Sequence, residues 1–379
     1  MPDVIIIGAG VIGTSIGFHL TKLGCRDVVI LEKNYIGSGS TEKCPGGIRQ
    51  QFSAEVNIRL SIESVRFFEQ FEEETGHPAD FRQHGYVILA TTEGKLDTLR
   101  ENINLQRKLG LKVDLISPQD IAELIPGVNV RDVLGGTFCP SDGYADPYSV
   151  VSGFASAARR LGARIFENTE VTSIELSGDR VKGVLTTASR FEAPVVVNAA
   201  GPYAGIIGKM AGLDIPIRPS RRHIFITEPV FKRSDQPMVI DFHNGFWFRR
   251  EGPCLIFGMR NNNEPEGFST SVDWDFFAEV AAPAACHRLP CLTDTGIMRA
   301  QAGLHSDTPD YMAILGEVST AKGLYLTCGF SGHGFMHSPA VGKLMAELII
   351  GKTAYQPYTD LLSLDRFDRQ IEQRETAFV

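Results

Sequence analysis

The sequence contains no Cys-x-x-Cys pair, no long apolar run and no excess of basic charge. Its seven cysteines (Cys25, Cys44, Cys139, Cys254, Cys286, Cys291 and Cys328) are odd in number and scattered. That pattern excludes a disulfide framework and a clustered thiolate zinc site, and it points to reduced thiols of a cytoplasmic protein. No stretch approaches the roughly 18 consecutive apolar residues of a spanning helix, so no integral membrane segment is expected. Met1-Pro2-Asp3 runs straight into the apolar Val4–Ile7 with no basic stretch and no room for a secretory leader. Thirty-seven basic against forty-five acidic side chains give a net charge of −8, so no nucleic-acid partner is expected. Internal repeats and low-complexity tracts are absent as well, which rules out fibrous and simply disordered classes.

What is abundant is glycine, 38 of 379 residues, against a usual share of about 7%. The first cluster has a clear physical reading. Val4-Ile-Ile-Ile7 is a continuous β-branched run of the kind that forms a buried parallel strand. It enters Gly8-Ala-Gly10-Val-Ile-Gly13, after which Ile12, Ile16, Leu20 and Leu23 recur at helical spacing as far as Gly24. A second buried strand, Asp27-Val-Val-Ile-Leu31, closes on Glu32. Strand, glycine turn, helix, strand and terminal acid within about thirty residues are the dinucleotide-binding fingerprint. Gly8 permits the tight turn, Gly10 lets a pyrophosphate approach the backbone, and Gly13 lets helix and sheet pack closely. The open helix N-terminus favours phosphate, while Glu32 accepts from a ribose and repels a 2′-phosphate.

A second set lies near the other end. Gly323-Leu-Tyr-Leu-Thr-Cys-Gly329 reads as a strand opening onto Phe330-Ser-Gly-His-Gly-Phe335, and a helix is predicted from about Ser338 to Ile350. Pro194-Val-Val-Val-Asn-Ala-Ala-Gly201 is a further apolar strand closing on small residues. Helical period is also read over Glu55–Gly76, Glu93–Gly110 and Pro147–Gly162. Strand-like alternation runs over 164–198 and 216–260.

The stretches IIIGAGVIGTSIGFHL, GSGSTEKCPGGIRQQF (37–52), PSDGYADPYS (140–149), VVVNAAGPYAG (195–205), DTPDYMAILG (307–316) and CGFSGHGFMHSPAVG (328–342) together resemble the amino-acid-oxidase (DAO) family of FAD enzymes. Within it the resemblance is to the group of sarcosine oxidase β-subunits, L-proline dehydrogenase β-subunits and glycine oxidases. It implies an α/β fold: a doubly wound, Rossmann-like FAD-binding domain with an inserted substrate domain on a mixed or antiparallel sheet. The expected FAD-binding domain comprises 1–80, 146–215 and 300–365. The substrate domain comprises 81–145 and 216–299, with 366–379 as a C-terminal tail.

The same resemblance implies site roles. Arg49 holds the substrate carboxylate over the flavin, a task suited to a bidentate guanidinium. The loop carrying His333 faces the flavin ring with backbone donors, as an oxyanion hole would, and no catalytic base is nominated. Cofactor contacts are expected from Gly8, Gly10, Val11, Ile12, Gly13, Glu32 and Lys33, and from Ser38, Ser40, Thr41, Gly47 and Ile48. Val171, Ala200, Gly201 and Gly303 complete the set with Gly329, Ser331, Gly332, His333, Gly334, Phe335 and Met336. Tyr86, Phe246, Trp247, Phe248 and His305 are weighed as pocket walls or core, and Arg221, Arg222, Arg249, Arg250 and Arg260 as ion-pair residues. No metal ligands are expected.

Departures from the family pattern bear on the reaction. Gly303 stands where monomeric sarcosine oxidases attach FAD to cysteine, so noncovalent FAD is expected. Met336 replaces a carboxylate-binding lysine, Ile256 aligns loosely with the lysine that promotes reaction with oxygen, and no histidine for FMN attachment occurs in Asp142–Ser152. These changes favour a dehydrogenase of small amino or imino acids (proline, hydroxyproline, sarcosine, glycine or opine type) working by hydride transfer to flavin. Its electrons would pass to α-type or other electron-transfer partner subunits, with FMN at a subunit interface as a further expectation. The alternatives are an oxygen-using glycine or sarcosine oxidase and a non-catalytic flavoprotein assembly factor.

Overall fold

The computed structural model describes residues 3–231, 236–352, 356–369 and 374–377. Met1, Pro2 and the stretches 370–373 and 378–379 of the expected tail lie outside the described residues.

The β-branched run Val4–Ile7 is wholly buried and forms the centre of a parallel sheet. Val28–Leu31 pairs on one side (Val4 opposite Val28) and Val195–Asn198 on the other (Val4 opposite Val195). Arg164–Phe166 extends the sheet beyond the first, and Ala321–Cys328 beyond the second, both parallel. Strands apolar on both faces need cover on both faces. One face carries the helices Val11–Lys22, Pro147–Arg160, Glu55–Glu69 and Gly334–Ile349, packed as one core. The other is covered by the antiparallel strands Val171–Ser177 and Arg180–Thr186 and the helix Ala204–Lys209.

The C-terminal helix starts at Gly334, four residues before the sequence-based expectation. Pro339, inside the helix, cannot donate to the Phe335 carbonyl. The Ser338 hydroxyl donates to that carbonyl instead, at 2.8 Å, and the helix runs through the proline. A Cβ on Gly342 would strike Ser15, so bare backbone lets this helix lie against Val11–Lys22, where Ser15 Oγ donates to the Ser338 carbonyl at 2.8 Å.

A second, mixed sheet has the order Ile297–Asp307, Arg218–Thr227, Cys254–Gly258, Trp247–Glu251, Met238–Asp241, Tyr86–Ala90, Gly135–Cys139, Asp114–Ile116. Only Met238–Asp241 and Tyr86–Ala90 run parallel in it. Ile297–Asp307 pairs along its length with Arg218–Thr227, so membership of this sheet continues past position 300. The strand Gly47–Ile48 pairs with Gly143–Tyr144 and carries the chain between the two sheets. The cavity described next opens between them.

Candidate functional site

A cavity of about 490 Å³ is lined by strands of the second sheet and by the segments that follow strands of the first. At one part of it lies the first glycine turn. Gly8 has φ +105°, and a Cβ there would sit 2.6 Å from the Ala199 carbonyl oxygen. A Cβ on Gly13 would fall on the Gly8 carbonyl oxygen, so helix Val11–Lys22 can begin against the turn only without a side chain there. That helix has Gly10 as its N-cap, with no capping side chain and no acid in its first turn. Its first N–H, of Val11, donates to Thr41 Oγ1 at 3.1 Å. The remaining N–H groups and the helix dipole favour an anion there. Glu32 is buried at the end of the second strand, accepting from the N–H of Ala9 at 2.9 Å and of Asn34 at 3.0 Å. Each carboxylate oxygen keeps acceptor capacity for a further donor.

The second glycine loop, 329–334, is pinned to the end of strand Ile297–Asp307. Ser331 N–H donates to the Ser306 carbonyl at 3.1 Å, and Ser331 Oγ accepts from Thr308 N–H at 3.1 Å. These bonds hold Ser331 at φ +49°, a left-handed conformation uncommon for a residue with a side chain. Helix Gly334–Ile349 follows, again without a side-chain cap or an early acid. Two helix starts without a capping side chain of their own therefore face one cavity.

Between these turns sits Arg49, 3% exposed although charged. Its Nη1 donates to the Ala377 carbonyl at 2.9 Å and its guanidinium lies over Phe52 at 4.5 Å. Among the described residues it makes no ion pair; Glu375 and Asp142 influence its charge only at longer range. The segment around it is held by Asp142, which accepts from Gln50 N–H at 2.9 Å, Gln50 Nε2 at 3.0 Å and Gln51 Nε2 at 2.9 Å. Burial pushes the Asp142 carboxyl up to about 6. His333 packs edge-on to Phe52 at 4.8 Å, and burial together with the Arg49 charge holds its pKa well below the usual imidazole value. His337, whose Nε2 is 2.9 Å from Ser61 Oγ, is lowered to about 3 by the same two causes. Both rings are neutral near pH 7, so neither adds a positive charge beside Arg49.

Every catalytic and cofactor position named from the sequence lines this cavity except Gly13, Ile48, Val171 and Gly329. Gly13 packs on the turn, Ile48 belongs to the helix-side core, and Val171 lies in the core on the sheet's other face. A Cβ on Gly329 would press on Thr308 at 2.5 Å, away from the cavity. Ser40 and Thr41 do line it, but both hydroxyls are already engaged: Ser40 Oγ donates to the Leu304 carbonyl at 2.6 Å. Lys33 also lines it, with Nζ 3.2 Å from the centre of the Tyr203 ring. Tyr86, Trp247 and His305 form walls, whereas Phe246 and Phe248 point into the core on the other face. Alternation along the strand separates Trp247 from its two neighbours. Ile256 lies outside the lining, while Met259 beyond the same strand reaches it, so Ile256 lends no geometric support to an argument about oxygen. Asp142 and Glu375 were not named as site residues. Asp142 stands within the motif 140–149, but nothing in the local sequence marks Glu375. No group of three His, Cys, Asp or Glu suited to a metal occurs among the described residues.

Comparison with known proteins places the chain in a family. The family described as FAD dependent oxidoreductase (DAO) matches residues 3–348. The crystal structure of L-proline dehydrogenase from P. horikoshii superposes with a TM-score of 0.91 at 35% identity, covering 98% of this chain and 99% of that one. Glycine oxidase from Geobacillus kaustophilus superposes at 0.85 with 28% identity, covering 96% and 98%. Human mitochondrial dimethylglycine dehydrogenase is 30% identical over 96% of this chain, which spans 44% of that protein's length. The chain thus covers less than half of the curated relatives it matches first.

Proposed function

The chain belongs to the DAO family of FAD-dependent oxidoreductases, and from that premise we propose that it oxidises the C–N bond of a small amino or imino acid. The observation that carries the proposal is Arg49: a buried guanidinium, lining the cavity, with no carboxylate partner among the described residues and donors to spare. A buried charge in that condition is costly unless a ligand completes it. A substrate carboxylate does so in bidentate fashion and thereby fixes which carbon is presented to the ring.

The residues present fit FAD. The close approach at Gly8 and Gly13, the two helix starts without a capping side chain of their own and the acceptor Glu32 are what a long dinucleotide requires at its phosphates and ribose. Bound FAD would supply the two-electron acceptor for a hydride leaving the α-carbon. The protein's share is positional. The dipole of helix Gly334–Ile349 favours negative charge developing at that end of the cavity. Neutral His333 adds no second charge to compete with Arg49 for the carboxylate.

The proposal includes noncovalent FAD, α-type or electron-transfer partner subunits, and FMN at their interface. Support comes from Gly303 and Met336, which line the cavity without a thiol or an ammonium, and from the likeness to a proline dehydrogenase. The test is anaerobic: mix the purified yellow chain with proline, hydroxyproline, sarcosine, glycine and opines. Bleaching by at least one is expected, and bleaching by none overturns the proposal. Peroxide formation in air as fast as flavin reduction would replace the dehydrogenase with an oxidase.

A further inference from the structure

Residues 374–377 return to the start of helix Glu55–Glu69, directly behind Arg49. Glu375 is 1% exposed, yet no cation pairs with it among the described residues. Its carboxylate is held by five donors instead. Oε1 accepts from Ser53 N–H at 2.9 Å, Ser53 Oγ at 2.6 Å and Ala377 N–H at 2.9 Å; Oε2 accepts from Ala54 N–H at 3.2 Å and Asn57 Nδ2 at 2.9 Å. The helix has Ala54 as its N-cap and no capping side chain of its own. Glu375 therefore serves as a cap delivered from over three hundred residues away, placed where the helix dipole favours a negative charge.

The tail is fastened on its other side as well. Glu375 N–H donates to the Asp310 carbonyl at 3.0 Å, and Arg366 forks onto the Asp310 carboxylate at 2.8 and 3.1 Å. Thr376 N–H donates to Ser53 Oγ at 2.8 Å. Two residues after Glu375, the Ala377 carbonyl accepts from Arg49 Nη1. A carbonyl suits this place. It orients one arm of the guanidinium without neutralising it, whereas a carboxylate there would compete with the substrate's own.

We propose that Glu375 is a positioning residue of the substrate site: it locks the tail so that the Ala377 carbonyl fixes the Arg49 side chain and leaves the rest of the fork to a substrate carboxylate. The inference rests on the reading above that Arg49 takes that carboxylate. It assigns a role to a segment the sequence marked only as a tail.

The test uses the full-length holoenzyme. Pyrrole-2-carboxylate serves as an unreactive carboxylate and pyrrolidine as its counterpart without one, both titrated by their effect on the flavin absorbance. In E375Q the Gln Nε2 faces donors it cannot accept from, which loosens the tail. The expected result is about tenfold weaker binding of pyrrole-2-carboxylate, with pyrrolidine affinity and FAD content unchanged. With a reducing substrate, the limiting rate of flavin reduction should stay within threefold while the half-saturating concentration rises. Should E375Q fail to fold, S53A removes one donor to Glu375 and should give the same pattern at two- to threefold. Equal weakening of both ligands, or an unaltered carboxylate affinity in a folded variant, overturns the proposal. R49A separates the two readings. If R49A weakens pyrrole-2-carboxylate binding and E375Q does not, only the tail's role fails; if R49A has no effect, the assignment of Arg49 itself fails.

Discussion

Among the described residues, Arg288 and Arg49 are the two most buried arginines, and they are buried in opposite ways. Arg288, at the end of helix Ala282–Arg288, is 2% exposed. It donates to both Asp132 oxygens at 2.9 and 3.1 Å, to Asp241 at 2.8 Å and to the Asn129 carbonyl at 2.6 Å. Arg49 has one carbonyl and a phenyl ring. The first is a staple joining a helix, a loop and the end of strand Met238–Asp241. The second is a charge beside a cavity, without an ion-pair partner among the described residues. Burial alone does not separate structure from function; what the protein leaves unpaired does.

The largest effect that would break this contrast is on stability. Arg288→Ala strands Asp241, itself 2% exposed, without its cation. Losing one partner of a buried pair costs about 3–5 kcal/mol. The arm to Asp132 adds little, because that carboxylate is 39% exposed and screened by water. Chemical denaturation should show the loss, while flavin reduction per folded molecule stays at the parental rate. If Arg288→Ala melted normally, the staple reading would be wrong.

Arg49→Ala should do the reverse. Removing a buried cation that no described residue pairs leaves the melting temperature unchanged or higher. Its carboxylate ligand, however, loses a charge-assisted bidentate contact, about 2–4 kcal/mol, or roughly 30- to 1,000-fold in affinity. Arg49→Lys should recover only part of this, since an ammonium cannot reproduce the fork. Titration of carboxylate ligands alongside calorimetry of the same variants tests both halves.

The sequence shows unevenly where such residues stand. The parallel strands Val4–Ile7, Val28–Leu31 and Val195–Asn198 were legible because both faces are buried and the runs are continuous. The fingerprint glycines were legible because sterics leave no substitute at Gly8 and Gly13. Arg49 was named through likeness to a family's motif, and the structure places it in the cavity lining; the local chemistry of GGIRQQF does not by itself single it out. Arg288 and Glu375 had no signal at all. Their roles are set by partners 47 to 322 positions away in the chain, and no local period or spacing encodes that. The start of the last helix was misplaced for a related reason: the hydroxyl that replaces Pro339's missing donor is visible only in three dimensions.

The smallest predicted effect concerns pH, and it follows from leaving Arg49 unneutralised. An imidazole beside a guanidinium that no described residue neutralises stays neutral, and burial and Arg49 together hold His337 at about 3. A histidine whose folded pKa lies below its unfolded value near 6.5 contributes stability that is full above 6.5 and is lost as pH falls toward the folded value. Between pH 7 and pH 5 the share of His337 is about 2 kcal/mol, from 1.36 kcal/mol per pH unit below 6.5. His337→Asn should therefore flatten the acid side of the stability curve by that amount. The slopes are compared by denaturant unfolding at several pH values, and Arg49→Ala should flatten the same limb in part by removing the cation that opposes protonation. Were the parental and His337→Asn slopes equal between pH 7 and 5, His337 would be paired with a hidden acceptor and the Arg49 end would not be the uncompensated one.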